Sequence, residues 1–117
     1  MFQLYGAHGP TLLSNGPSTI ELQGRWITAM IDKLSGQKDV KYFNPKREAS
    51  DEWKQRIVAM NNATLFPTAR STFMGGSIPG KTYEPMCYMG GIPAYKLELY
   101  AALDSMEGFD LVKESEK

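Results

Sequence analysis

A chain of 117 residues with 42% hydrophobic and 22% charged residues is long enough for one domain with a modest core and too apolar for a disordered segment. Thirteen Lys and Arg against thirteen Asp and Glu give a formal net charge of zero, which argues against nucleic acid or an anionic membrane as the main partner. No apolar run approaches the length of a bilayer span, residues 1–10 lack a signal-peptide pattern, and the single Cys87 rules out an internal disulfide; the chain reads as cytoplasmic.

No repeat, low-complexity tract or linker divides the sequence. Phe2-Gln3-Leu4-Tyr5 reads as a short strand ended by Gly6, and Gly9 to Gly16 as a loop. Pro17 suits a first helical position, and Ser18-Thr19-Ile20-Glu21 has the form of a capping box. Ile20, Ile27, Ile31 and Leu34 then recur at helical spacing, with Trp26 and Met30 widening the apolar face. Lys33 complements the C-terminal end of the helix dipole, and Gly36 ends the run.

Val40 to Phe43 reads as a brief strand. A second helix is expected from Pro45 and the acidic Ser50-Asp51-Glu52, with Trp53, Ile57 and Met60 inward and Glu52 paired to Arg56 one turn on. Leu65-Phe66-Pro67 closes that unit. Residues 70–91 are rich in Gly and Pro; within them Ser71 to Met74 and Met86 to Met89 read as strands on either side of a Gly-rich loop. Pro93 opens a third helix with Tyr95, Leu99, Ala102 and Leu103 inward, and Phe109 to Val112 reads as a last strand. The fold class is α+β, about three helices with short strands, in a single domain over 1–112 with a frayed tail at 113–117.

Gly75-Gly76-Ser77-Ile78-Pro79-Gly80-Lys81-Thr82 satisfies the phosphate-loop pattern GxxxxGK[ST]. A working phosphate loop needs a strand before it and a helix at once after it, so that backbone N–H groups converge on phosphate. Here Pro85 follows closely and disfavours helix at Glu84, while Pro79 removes a donor inside the loop. Nucleoside triphosphate binding is therefore not expected.

The same loop fits another pattern. Leu65-Phe66-Pro67-Thr68-Ala69-Arg70-Ser71, then Met74-Gly75-Gly76-Ser77-Ile78-Pro79-Gly80-Lys81, then Tyr88-Met89-Gly90-Gly91 and Tyr95 resemble the C-terminal segment of flavin-dependent Baeyer–Villiger monooxygenases, the cyclohexanone monooxygenase-like class B flavoproteins. Gly9-Pro10, Ser14-Asn15-Gly16-Pro17, Ile20-Glu21, Gln23 and Trp26-Ile27 are similar to the same family in the same order, as is Glu107-Gly108-Phe109. The resemblance spans nearly all of 1–112 and implies a truncated piece of a flavin monooxygenase fold. It implies FAD and NADP as cofactors of the full-length family, which inserts an oxygen atom beside a ketone.

By that resemblance Ser14, Asn15, Gly16 and Pro17 lie at the flavin ring, where a helix start favours negative charge on a reduced flavin. Residues 71–85 match a mobile loop that closes over NADP and substrate, and Tyr83 to Tyr88 match part of the substrate pocket. Two positions depart: the family's Trp after the serine matching Ser71 is Thr72, and its Asn before Ile-Pro-Gly is Ser77. No GxGxxG fingerprint opens a βαβ unit in the chain, so no cofactor is expected for the chain by itself.

Three readings follow. Met1 at the start and the family's usual ending suggest a self-contained product, whose retained pocket would serve cofactor-independent isomerisation or cyclisation of a small ketone or polyketide-like ligand. Its acid–base candidates are His8, Glu84 and Tyr88, with Tyr83, Met86, Cys87 and Met74 as substrate-binding groups. The second reading is a fragment whose chemistry exists only in a complete flavoenzyme, and the third a non-catalytic ligand-binding accessory subunit. One His and one Cys offer no metal-ligand set. Strand edges and apolar surface cut free of a larger sheet point to a homodimer. The pocket reading requires residues 1–17 and 71–91 to come together at a common cavity, either within one subunit or across an assembly.

Overall fold

The computed structural model describes residues 1–12 and 14–114. In chain order the elements are α1 (Gly16–Ser35), β1 (Val40–Pro45), α2 (Arg47–Asn62), two 3-10 turns (Phe66–Thr68 and Thr72–Met74), α3 (Gly91–Ser105) and β2 (Phe109–Lys113). The α+β expectation with three helices holds. Leu22 of α1, Ile57 of α2, Tyr95 of α3 and Tyr88 of the preceding loop form the central cluster, with Trp53, Met60 and Leu99 packed around it.

α1 starts earlier than expected. Asn15 is its cap, and the Asn15 Oδ1 accepts the Ser18 N–H at 3.0 Å, a bond that satisfies one of the first-turn donors. Ser18 is therefore capped rather than capping, and Glu21 accepts from Arg25 at 2.7 Å instead of closing a box. The helix also turns another face inward. Thr19, Leu22, Gln23 and Met30 are buried, whereas Ile20 and Ile31 are exposed. Hydrogen bonds make the polar burial possible: Thr19 Oγ1 donates to the Asn15 carbonyl at 3.0 Å, and Gln23 Nε2 donates to the Tyr95 hydroxyl at 3.1 Å. Trp26 Nε1 donates to the Leu99 carbonyl at 2.7 Å, and Lys33 Nζ reaches the Asp104 carbonyl at 3.2 Å at the end of α3. The lysine thus serves the C-terminal carbonyls of a neighbouring helix.

β1 runs two residues past the expected end, and β2 pairs with it antiparallel, Phe43 opposite Leu111 and Pro45 opposite Phe109. Phe43 and Phe109 meet edge-on at 5.6 Å, and Phe109 and Phe2 both touch the Trp26 ring. Of the expected tail at 113–117, Lys113 belongs to β2 and the Glu114 N–H donates to the Asp39 carbonyl at 2.8 Å; residues 115–117 lie outside the described residues. α2 begins directly after Lys46, before the acidic stretch. Arg56 pairs with Glu98 of α3 rather than with Glu52, which ties two helices together instead of decorating one.

Three expected strands do not form. Residues 2–5 carry none, since Tyr5 turns left-handed at φ 55° and the segment lies on α1 through the Phe2 ring against Trp26 and the Tyr5 N–H donated to Gln23 Oε1. Ser71 caps the 3-10 turn Thr72–Met74, its hydroxyl accepting the Phe73 N–H. Met86 to Met89 stays irregular, although the His8 N–H donates to the Met86 carbonyl at 2.7 Å and the Tyr88 N–H to the Gly9 carbonyl at 3.0 Å. Pro10 and Pro85 flank this short pairing and supply no N–H to extend it.

α3 ends on Met106, which holds the left-handed conformation at φ 55° that glycine adopts more cheaply at a helix C-terminus. Met106→Gly is expected to raise stability by about 0.5–1 kcal/mol in urea denaturation; a loss instead would mean that the methionine side chain contributes more than the strain costs.

Candidate functional site

The bonds between residues 8–9 and 86–88 bring together stretches far apart in sequence. Thr11 Oγ1 and Cys87 Sγ lie 3.1 Å apart beside this junction, with Cys87 buried. The following loop is pinned to itself, the Glu84 N–H donating to the Met74 carbonyl and the Met86 N–H to the Phe73 carbonyl, both at 3.1 Å. Met74 is buried, and its sulfur accepts from Asn61 Nδ2 at 3.3 Å.

At the surface of the junction, Glu84 forms an ion pair with Lys54 of α2 at 2.7 Å. The hydrogen bond and charge of Lys54 hold the Glu84 carboxyl below its ordinary 4.5, with Lys81 and His8 acting in the same direction. His8 is half-buried in a left-handed turn at φ 65°. Burial pushes its imidazole below the ordinary 6.5, Lys54 adds to this, and Glu84 opposes it. His8 and Glu84, two of the three acid–base candidates, therefore act on one another directly, and both also feel Lys54, for which the sequence offered no signal.

Both groups bind fewer protons folded than unfolded, so their contributions are present at neutral pH and lost on acidification. The first loss runs as pH falls through 6.5 toward the lowered pKa of His8, and the second below 4.5 for Glu84. The thermal midpoint is expected to fall between about pH 7.5 and 5.5, and His8→Asn, which tolerates a left-handed turn without titrating, to flatten that fall. A midpoint that holds steady or climbs on acidification would contradict this arrangement.

Tyr88 stands apart from these polar groups. It is 2% exposed, stacked on Trp53 with ring centres 5.6 Å apart, and tilted against Tyr95 at 5.2 Å. Burial, and then the nearby Glu98 charge, push its hydroxyl above the ordinary 10.0. Tyr83 is exposed, and its hydroxyl accepts the Ser71 N–H at 3.4 Å. Met86 is exposed while Met74 and Cys87 are buried.

An open cleft of about 490 Å³ runs between residues 67–70 and 75–83. Arg70, Lys81, Ser77 and Tyr83 line it beside the Gly-Pro turn, and no carboxylate does. Thr72–Met74 precedes this loop as a 3-10 turn and the next helix begins only at Gly91, so the phosphate-loop pattern has neither the strand nor the helix it needs. A smaller hollow of about 100 Å³ lies between Phe2, Gln23, Trp26 and Tyr95. Of the candidate residues only Tyr83 lines either hollow, and neither is shared by residues 1–17 and 71–91. Among the described residues the two stretches touch through backbone bonds and the Thr11–Cys87 contact, away from both of these hollows. Arg70 and Lys81 were not among the candidates, although two cations bracketing a Gly-rich loop were a readable signal.

Ser14, Asn15, Gly16 and Pro17 lead into α1, whose first turn carries no acidic side chain. The positive end of the helix dipole is not offset there, which suits the negative charge of a reduced flavin. Among the described residues nothing supplies a dinucleotide-binding turn. No group of three His, Cys, Asp or Glu side chains able to hold a metal occurs among the described residues. No helix there is long and apolar enough to cross a membrane.

This three-helix arrangement with its small sheet is a part of the flavin monooxygenase fold. Over 94% of its length it superposes on cyclohexanone monooxygenase from Rhodococcus sp. Phi1 bound to NADP+, with a TM-score of 0.83 and 32% identity, covering 20% of that chain. In sequence it is 48% identical over 113 residues to the FAD-binding monooxygenase acrE of Aspergillus aculeatus, across 97% of this chain and 19% of that protein. It is 33% identical over 112 residues to cyclohexanone 1,2-monooxygenase of Acinetobacter sp., across 95% of this chain and 20% of that protein. No protein-family model matches the chain. The chain corresponds to the C-terminal segment of the flavin-dependent Baeyer–Villiger monooxygenases, and it spans about a fifth of the length of these relatives.

Proposed function

We propose that the chain acts as the C-terminal part of a flavin-dependent Baeyer–Villiger monooxygenase, forming one edge of the flavin site and part of the wall on the substrate side. The observation that carries this reading is the superposition of nearly the whole chain on one fifth of a solved cyclohexanone monooxygenase. A cofactor-free isomerase or cyclase would need His8, Glu84 and Tyr88 around one cavity. Tyr88 is instead packed among Trp53 and Tyr95, and neither hollow contains any of the three.

In this reading the start of α1 offers its dipole to the flavin ring from Asn15 and Gly16, and the flavin supplies the oxygen chemistry when bound. Residues 71–85 cover the ligand, with Arg70 and Lys81 supplying positive charge at the cleft and Tyr83 a hydroxyl. A ketone is the substrate class. Thr72 in place of the family's Trp gives a weaker grip on the nicotinamide.

The test is a graft. The matching segment of the Aspergillus aculeatus relative is replaced by this chain, and ketone-dependent NADPH oxidation is followed. The graft is expected to turn over a ketone, and the isolated chain to purify colourless and convert nothing. Conversion of a ketone-bearing precursor by the isolated chain without flavin or NADPH would sink the reading in favour of the isomerase.

A further inference from the structure

α1 and α3 are joined by two hydrogen bonds one helical turn apart. Gln23 Nε2 donates to the Tyr95 hydroxyl at 3.1 Å, and Trp26 Nε1 donates to the Leu99 carbonyl at 2.7 Å. Gln23, Trp26 and Ile27 share one face of α1, and Tyr95 and Leu99 one face of α3. These residues line the hollow of about 100 Å³, and Phe2 adds to its apolar lining. The Phe2 ring is itself held, edge-on to Trp26 at 6.2 Å and tilted against Phe43 at 5.7 Å.

The direction of each polar contact there is fixed by its neighbour. The Tyr5 N–H can only donate, so the end of the Gln23 amide that it meets at 2.8 Å is the oxygen. The other end is then the nitrogen, which has only protons to offer Tyr95. The Tyr95 hydroxyl accepts, and its own proton is left to give. Among the described residues no acceptor takes that proton. Tyr95 is 7% and Gln23 8% exposed, and both line the hollow. Burial raises the Tyr95 pKa above the ordinary 10.0, with the Gln23 bond offsetting part of the rise, so the hydroxyl stays a neutral donor. Trp26 adds no donor, because its N–H is given to Leu99.

We infer that this hollow binds a small neutral molecule carrying one strong acceptor oxygen on a short hydrocarbon body, the oxygen receiving the Tyr95 O–H. Phe2, Trp26, Ile27 and Leu99 supply the apolar walls for the body. Size follows from volume: a cavity of about 150 Å³ takes benzene, so this one takes about four non-hydrogen atoms. A carboxylate is disfavoured, since one donor among apolar walls does not replace its lost hydration. The site shares no residue with the cleft at 67–83 or with the start of α1. It therefore stands or falls independently of the proposed flavin chemistry.

The experiment uses two probes of one shape. Acetone carries the acceptor oxygen, and isobutene has a carbon in its place. Each is titrated into the isotope-labelled chain while the Trp26 indole N–H resonance is followed by NMR. Acetone is expected to shift it saturably with a Kd of about millimolar, as suits a ligand of this size. Tyr95→Phe is expected to reduce the preference for acetone over isobutene by about fivefold or more, the worth of one hydrogen bond. A tyrosine with a purely structural role would instead weaken both probes alike. Ile27→Phe keeps the hydroxyl and fills the hollow, so neither probe should then move the indole resonance. That variant tests the site independently of how Tyr95→Phe folds.

A shift that grows without saturating would overturn the inference, as would an unchanged preference in folded Tyr95→Phe. Undiminished binding in Ile27→Phe would also overturn it, because the probes would then sit elsewhere on the chain.

Discussion

Tyr88→Ala is expected to lower stability by about 3–5 kcal/mol, among the largest costs a single aromatic truncation produces. The ring sits where three helices meet, against Leu22 of α1, Ile57 of α2 and Tyr95 of α3. Trp53 lies nearly parallel to it, with 8° between the planes. Both neighbouring rings are held in turn: the Tyr95 hydroxyl accepts from Gln23, and the Arg56 guanidinium covers Trp53 at 5.9 Å. Such a fixed surround collapses poorly into a void, which places the cost in the upper part of the range. Tyr88→Phe keeps the ring and is expected to cost less than about 1 kcal/mol. Urea denaturation followed by tryptophan fluorescence measures both. If Tyr88→Ala cost less than about 1 kcal/mol, the packing role would be lost. Full stability with abolished turnover in a Tyr88→Phe graft would restore the hydroxyl as a catalytic group.

That contrast shows where sequence reading succeeds and fails here. The spaced motifs from Gly9 to Phe109 identified the fold at once, because each marks a turn or helix start whose geometry depends on a few local residues. The third helix was legible for a similar reason: Tyr95 and Leu103 are apolar, buried and at helical spacing. α1 was misread because apolar periodicity reports every apolar surface and not only the one facing this core. Thr19 and Gln23 are buried by hydrogen bonds to Asn15 and Tyr95, partners that no hydropathy pattern reveals. The strands expected at Phe2 to Tyr5, Ser71 to Met74 and Met86 to Met89 have extended composition but no regular ladder. For the site, the proximity of His8 and Glu84 depends on backbone bonds between segments almost eighty residues apart. Lys54, which holds Glu84, lies on the exposed side of α2 with nothing in its neighbours to single it out.

Gly90→Ala is the second large effect expected, about 2–3 kcal/mol of destabilisation from one added carbon. Gly90 has φ −83°, which any residue adopts, so the need for glycine is one of space. A Cβ there would stand 2.7 Å from Tyr88 Cε1 and 2.8 Å from both Cζ and the hydroxyl oxygen. The ring has no easy retreat, since Trp53 is stacked on it and Tyr95 lies against it. Gly24→Ala is the matched control: it sits inside α1 with nothing within 4 Å of the added carbon, and helix propensity alone should stabilise it by about 1 kcal/mol. The decisive measurement is Gly90→Ala on a Tyr88→Ala background. With the ring gone the clash is gone, so the two costs should fall short of additivity by about 1–2 kcal/mol. An undiminished cost there would mean that Gly90 is required by the backbone at the start of α3, and that the ring beside it sets nothing.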